Sequence, residues 1–425
     1  MSAKKISKST RRKIEKAAKK AAKKHPVATF IVVLLVVAIV GCCVLHRKRV
    51  IHLPFLDGII PQESVVEDVD GKGGAFTQED IAVIKDSDLS IHFLELGNEF
   101  TGDCTLIKVG NTEVLIDAGS RQNSASTIKD YIDDYCTDGI LEYVIATHAH
   151  QDHIAGFVGL KNGGEYDGIF YEYQIGTLIQ FARSDQSLVG PSGRETVYAK
   201  YLDSVEYLKS KNTTVYNALQ CCNETDGAKK TYYLDSEQTI SMNILYNYFY
   251  DHESTGEGGE NEYSVCMLLS QTLSDGENHY LFTGDLEETG EGFLVDNNPD
   301  LPKCKLFKAG HHGSYTASSN KLLSKIKPEI VCVCCCAGSD EYTKTEENQF
   351  PAQDFINRVA EYTSNVFVTT IVADNGAGFT SMNGNIVLLS NDGNLTMLCS
   401  NNMTKLKDTD WFKANRTTPD KWKAA

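Results

Sequence analysis

Thr147-His148-Ala149-His150-Gln151-Asp152-His153 follows the apolar run Tyr143-Val144-Ile145-Ala146, and the reading of this stretch decides the fold. The run is short, rich in β-branched residues and closed by a polar turn, which predicts a buried strand over 143–147. The loop that it delivers holds three imidazoles and one carboxylate. In an extended loop His148 and His150 point the same way, so they can share one cation. Asp152 and His153 then reach a second cation beside the first. Imidazole nitrogen and carboxylate oxygen suit zinc best, with manganese or iron tolerated. A polar surface loop has no reason to gather these four groups behind a buried strand.

Three more pieces stand at the ends of apolar runs. Tyr280-Leu281-Phe282-Thr283-Gly284-Asp285 ends in a carboxylate able to bridge two ions, although by itself it reads as an ordinary turn residue. Leu306-Phe307-Lys308-Ala309-Gly310-His311-His312-Gly313-Ser314 presents two imidazoles beside a glycine, where backbone can come close to a ligand. Upstream, Leu115-Ile116-Asp117-Ala118-Gly119 ends in another Asp. Sites in α/β proteins are usually built at such strand ends.

Around these pieces the pattern is mixed. Strands are expected at 90–96, 105–109, 112–116, 265–270, 279–283, 305–309, 366–370 and 386–389. Helices are expected at 126–135, 199–210, 319–326 and 352–362. That order excludes an all-α or all-β chain and points to a layered α/β sandwich. Cys332, Cys334, Cys335 and Cys336 lie in the run VCVCCC. This reads as a buried strand, because free cysteine packs as a small hydrophobe and no partner ligands stand at metal-site spacing. An exported body would permit disulfides, but the thirteen cysteines show no spacing that assigns pairs.

The net charge of -16 conceals an asymmetry. Residues 1–50 carry fourteen Lys or Arg and one acid, Glu15; the remaining 375 carry 27 basic and 56 acidic residues. An acidic body disfavours non-specific adhesion to nucleic acid, which depends on Lys and Arg at phosphates. Val27–Leu45 is uncharged over nineteen residues. As a helix it spans roughly 30 Å, the thickness of the hydrocarbon core. The basic flank before it predicts a cytoplasmic N-terminus and a body across the membrane. Ile39-Val40-Gly41-Cys42 offers an alternative, a lipoprotein box with the lipid on Cys42. The expected organisation is a basic cytoplasmic tail (1–26), a transmembrane helix (27–45), a linker (46–88), a hydrolase domain (89–400) and a C-terminal tail (401–425).

From about Ile91 to Leu398 the chain resembles the metallo-β-lactamase superfamily, and within it the exported domain of ComEC/Rec2 competence proteins. The resemblance rests on Phe93-Leu94-Glu95-Leu96-Gly97, Gly102-Asp103, Ile116-Asp117-Ala118-Gly119, the His-x-His-x-Asp-His run, Phe282-Thr283-Gly284-Asp285 and the His-His-Gly-Ser run at 311–314. Gly384-Asn385-Ile386 and Asn391-Asp392-Gly393 resemble its closing strands. It implies an αβ/βα four-layer sandwich holding two divalent metal ions. His148 and His150 would then hold the first ion and Asp152 and His153 the second. Asp285 would bridge them, and His312 would complete the second ion. His311 and Ser314 would face the substrate, so that Asp152, His311 and Ser314 are the catalytic candidates. Asp117 would orient the ligand loop from behind.

Two departures from the family pattern stand out. Many members have a further His before the Asp285 strand, where this chain reads Glu260-Asn261-Glu262-Tyr263-Ser264; His252 lies nearby as a candidate substitute, although it reads better as a surface-loop histidine. ComEC-like domains tend to carry Gly-His-Pro after the strand that here is VCVCCC, where this chain has Gln349-Phe350-Pro351. The expected activity is hydrolysis of a phosphodiester by water activated between the metals, on a small molecule, an envelope polymer or DNA. One alternative is a ComEC-like nuclease acting on extracellular DNA, with Lys305, Lys308, Lys321 and Lys325 forming a basic groove. Another is a non-catalytic envelope protein that binds through its Tyr-rich stretch at 165–210. Nothing points to lactones or β-lactams.

Overall fold

The computed structural model describes residues 75–160, 166–254, 256, 258–373 and 378–423. The apolar segment 27–45, the basic leader 1–26 and most of the 46–88 linker lie outside the described residues. Among those described, no helix is long and apolar enough to cross a membrane.

Two eight-stranded sheets form the body, and each joins an antiparallel half to a parallel half. The first runs, in spatial order, Asn394–Cys399, Ile386–Asn391, Leu89–Phe93, Thr105–Val109, Thr112–Ile116, Ile140–Ala146, Gln174–Gln180 and Thr214–Asn217. Its last four strands are mutually parallel. The second runs Phe379–Ser381, Val366–Val372, Ile330–Ala337, Leu306–Lys308, Gly276–Phe282, Cys266–Leu273, Ile240–Leu245 and Thr231–Tyr233. Its parallel part is the four strands from Gly276–Phe282 through Val366–Val372.

Side-chain alternation explains why the two sheets form a sandwich. Met267 and Leu269, Tyr280 and Phe282, Leu306, Cys332 and Cys334, and Phe367 share one buried cluster with the first sheet. Their neighbours Leu268, Leu281, Phe307, Val331, Val333, Cys335, Val366 and Val368 belong to a second cluster. That cluster includes Leu294, Leu322, Phe355 and Phe412 from the helices Glu288–Asn297, Asn320–Ile326, Gln353–Val359 and Asp410–Asn415. The VCVCCC run is therefore a strand buried on both faces, and all eleven cysteines among the described residues are free.

Three expectations change. The domain begins within the supposed linker, because Gln78–Lys85 is a helix with a Thr77–Asp80 capping box whose Ile81 and Ile84 are buried. At the other end, Leu406, Phe412 and Trp422 are buried in the second cluster, so the region read as a tail packs onto the sandwich. Burying such side chains stabilises by about 1.5–3 kcal/mol each, enough to hold so short a segment down. The Tyr-rich stretch contributes packing: Tyr201 is buried in the core, and Tyr171 bonds Ser204 at 2.9 Å.

Candidate metal centre

Four of the parallel strands end on one spot. Ile116 leads into Asp117, Ala146 into Thr147–His153, Phe282 into Thr283–Asp285, and Lys308 into Ala309–His312. The first two ends are locked together by backbone. Ala118 N–H donates to His153 O at 2.8 Å, Gly156 N–H to Ala118 O at 2.6 Å, and Asp103 N–H to Asp152 O at 3.1 Å. Here glycine is needed for space: a Cβ on Gly119 would lie 2.5 Å from Asp152 O, and one on Gly156 would lie 2.5 Å from Ala118 O. The Asp-Ala-Gly and His-x-His-x-Asp-His runs are thus two sides of one buried knot.

Four of the imidazoles, those of His148, His153, His311 and His312, are anchored by Nδ1 and present Nε2. His153 Nδ1 donates to Asp117 Oδ2 at 2.7 Å, and His312 Nδ1 to the Cys334 carbonyl at 2.9 Å. His311 Nδ1 lies 3.0 Å from Glu287 Oε1. Thr147 gives its hydroxyl hydrogen to Asp117 Oδ2 at 2.7 Å, so its oxygen accepts from His148 Nδ1 at 3.1 Å. Each of these rings is left with its Nε2 toward the centre, the arrangement that metal-binding imidazoles take. His311 and His312 both adopt left-handed backbone angles, φ 44° and 53°. For a non-glycine residue this costs roughly 1–2 kcal/mol, and such strain gathers at functional sites.

The facing atoms lie at distances that suit a shared cation. Asp285 Oδ2 is 3.1 Å from His153 Nε2 and 3.2 Å from His312 Nε2, and Asp152 Oδ2 is 3.4 Å from His312 Nε2. His148 Nε2 and His150 Nδ1 are 3.0 Å apart. Two ligand atoms each about 2.0–2.1 Å from a tetrahedral zinc stand roughly 3.3 Å from one another. Although so near, His153 Nε2, His312 Nε2 and both oxygens of Asp285 are buried without a hydrogen-bond partner. They are aimed at common points rather than at each other, and buried polar atoms left in this way need an account. A divalent cation supplies one.

Electrostatics agree with that fit. Burial, then the charges of His153 and His150, hold His148 well below the ordinary histidine value; burial also lowers His150. Both are therefore neutral, as ligands must be. Burial would lower His153 and His312 too, but Asp285 with Asp117, and Asp285 with Asp103, outweigh it and hold both well above the ordinary value. Burial opposes ionisation of Asp285, yet the charges of His153, His312 and His311 keep it well below the usual carboxylate range. Without a cation, protons on His153 and His312 take its place.

The six expected ligands, His148, His150, Asp152, His153, Asp285 and His312, are brought together, and Asp117 lies behind them. Ser314 is not on that surface. It is 2 % exposed, and its hydroxyl engages Thr316 at 2.9 Å, so it does not face a substrate. His252 is no substitute ligand: it is exposed, stacked on Tyr248 at 3.7 Å and paired with Asp251 at 2.6 Å. The Glu260 stretch instead braces the ligand loop, since Glu260 Oε1 accepts from Ala149 N–H at 2.9 Å and Oε2 from Ser184 and Asp185 at 2.9 and 2.8 Å.

Several residues of the centre carried no assigned role in the sequence. Asp103 belongs to the same buried group, but it meets the imidazoles on their Nδ1 edges, 3.1 Å from His312 and 3.8 Å from His153. We place it behind the ligands for that reason. Lys308 is buried against Asp103 and stands 3.6 Å from Asp285 Oδ1. A lysine inside the apolar run Leu306–Ala309 was the available signal. The expected groove lysines are engaged elsewhere: Lys305 pairs with Glu329, Lys321 with Asp296, and Lys325 caps the Pro299 carbonyl. Phe350, in the Gln349-Phe350-Pro351 departure, packs its ring 5.6 and 5.7 Å from those of His311 and His312.

Residues 97–179 match the family model of the Metallo-beta-lactamase superfamily, a span that holds Asp103, Asp117 and His148–His153. Over 68 residues the chain is 35 % identical to Recombination protein 2 of Haemophilus influenzae, which amounts to 16 % of this chain and 8 % of that protein. Among solved structures, the metallo-beta-lactamase fold protein YhfI from Bacillus subtilis is similar over 67 % of this chain and 96 % of its own, at 11 % identity and a TM-score of 0.34. CmlA, a diiron beta-hydroxylase from Streptomyces venezuelae, is similar over 64 % and 47 %, at 12 % identity and a TM-score of 0.33. Across the stretch that holds its His-x-His-x-Asp-His loop, the chain is thus similar to the metallo-beta-lactamase superfamily.

Proposed function

We propose that the chain is a dinuclear-metal hydrolase of small phosphodiesters, tethered to a membrane by residues 27–45 with its body outside the cytoplasm. One observation carries the chemistry: three buried groups from three strand ends converge, with Asp285 Oδ2 at 3.1 and 3.2 Å from His153 Nε2 and His312 Nε2, and none of these atoms has a hydrogen-bond partner. His148 and His150 would hold one ion; Asp152, His153 and His312 would hold the other, with Asp285 between them. Zinc suits this donor set first, then manganese or iron. The ions, when bound, supply the charge that activates water near neutral pH and offsets charge developing on phosphoryl oxygens.

The chain's own residues do the rest. Asp117 and Asp103 fix the imidazoles so that little reorganisation is needed when substrate arrives. His311 is held at Nδ1 by Glu287, and its Nε2 lies 3.9 Å from Asp285 Oδ2 with its side chain 18 % exposed. It is placed to bind a phosphoryl oxygen or to pass a proton to the leaving oxygen. The acidic composition outside residues 1–50 favours a small substrate over a polyanion. The test is a screen of the full chain, solubilised in detergent, on bis(p-nitrophenyl) phosphate and on carboxylic and thio-esters. Chelator-sensitive turnover confined to the phosphodiester supports the reading; turnover of the esters alone would replace it.

A further inference from the structure

Tyr342 is 190 residues from Asp152 along the chain, yet its hydroxyl donates to Asp152 Oδ2 at 2.6 Å. That oxygen is the one 3.4 Å from His312 Nε2. The segment that carries Tyr342 joins the strand Ile330–Ala337 to the helix Gln353–Val359 and reaches the centre at Asp152. It is held at several points. Gly338 N–H donates to Phe350 O at 2.9 Å and closes its base. Glu341 Oε2 accepts from Thr101 N–H at 3.0 Å, and its Oε1 meets Arg121, whose guanidinium lies 3.9 Å over the Phe100 ring. The Tyr342 ring lies 5.4 Å from that of Phe350, which in turn abuts His311 and His312.

Two consecutive side chains therefore reach the same wall of the centre, because Asp103 N–H, at the end of the stretch that Glu341 binds, donates to Asp152 O at 3.1 Å. Glu341 fastens the segment to residues 100–103, the stretch that ends in Asp103. Tyr342 commits its hydroxyl to a ligand carboxylate although half of the residue is open to solvent. A carboxylate oxygen that ligates an ion through one lone pair has a second lone pair free to accept, and such outer hydrogen bonds set the carboxylate's orientation.

We propose that Tyr342 is a positioning residue of the metal centre, its hydroxyl holding Asp152 in the orientation that the second ion requires while Glu341 anchors the strap that carries it. This rests on the dinuclear reading above. It assigns the strap to metal binding, where packing alone would assign it only to stability. Tyr342→Phe separates the two, because it keeps the ring against Phe350 and removes only the hydroxyl.

The full chain in detergent is stripped with chelator and titrated with zinc by calorimetry. The wild type should show two binding steps. Tyr342→Phe should weaken one of them roughly tenfold to a hundredfold, the usual effect of losing an outer-shell partner. The other step, and the melting temperature of the stripped chain, should stay as in the wild type. Glu341→Gln, which loosens the anchor and leaves the phenol in place, should weaken the same step by less. Two wild-type steps in the Phe variant would overturn the Tyr342 assignment alone, and so would a lowered melting temperature with zinc binding unchanged. A wild type that takes up no zinc would overturn both this assignment and the dinuclear reading.

Discussion

Asp117 Oδ2 and His153 Nδ1 meet at 2.7 Å in a layer that solvent does not reach. The same carboxylate accepts the Thr147 N–H at 2.8 Å and its hydroxyl at 2.7 Å, so one side chain fixes both ends of the ligand loop. Asp117 holds a left-handed backbone at φ 58°, a conformation that asparagine tolerates.

Asp117→Asn should therefore keep the backbone and lose the loop's orientation. Its amide turns a donor toward groups that already donate. Urea unfolding should show a loss of about 1–3 kcal/mol, the cost of leaving a buried group unsatisfied. Zinc affinity should fall roughly tenfold to a hundredfold. Wild-type zinc affinity in this variant would remove Asp117 from the centre.

The pH dependence of stability has a carboxylate source. Burial holds Glu262 up at about 8, and Glu260 and Glu291 up at about 7, against 4.5 for a free glutamate. The folded chain keeps these protons where the unfolded chain has lost them. Their contribution is full below pH 4.5 and is lost as pH climbs through 7 to 8. A carboxyl whose pKa is raised by one pH unit on folding contributes about 1.4 kcal/mol in this way. Glu262→Gln, which stays neutral, should flatten the fall in urea midpoint between pH 5.5 and 8.5. Equal slopes in wild type and variant would show that Glu262 is not protonated in the folded state.

Much of this cluster was legible because its candidate ligands follow strands of plain apolar pattern. His148–His153, Asp285 and His312 could each be placed at a strand end, and parallel strands bring such ends together. What stayed hidden was convergence from irregular segments. Asp103 follows a glycine in a loop, where Asp is usually a turn residue. Tyr342 and Glu287 sit in polar stretches without periodicity. Ser314 misled because a motif fixes neighbours along the chain but not which way a buried hydroxyl turns. The 401–425 region looked like a tail because Leu406, Phe412 and Trp422 are spread among polar residues, yet together they make a docking face.

Charge separates a small-molecule phosphodiesterase from a nuclease. The four lysines of the groove that the nuclease reading requires are buried, paired or capping a carbonyl. Turnover of bis(p-nitrophenyl) phosphate should exceed cleavage of duplex DNA at low salt. Any DNA cleavage should improve on modest addition of salt, which shortens the repulsion to about 10 Å at 0.1 M. Tight DNA binding that salt weakens, with metal-dependent nicking, would restore the nuclease role.

Topology has its own readout. Protease added to intact cells should remove the body and leave a small membrane fragment containing residues 27–45. Protection of the body until the membrane is permeabilised would place it on the other side.

The most direct test of the dinuclear centre is the metal content of the purified full chain by elemental analysis, in wild type, Asp285→Ala and His252→Ala. The wild type should carry two divalent transition-metal ions per chain. Asp285→Ala should lose most of both, because its carboxylate faces His153 and His312 at 3.1 and 3.2 Å, and His252→Ala should lose none. Equal losses in the two variants would make His252 a ligand, and a wild type that holds no metal under conditions that keep it folded would contradict the account.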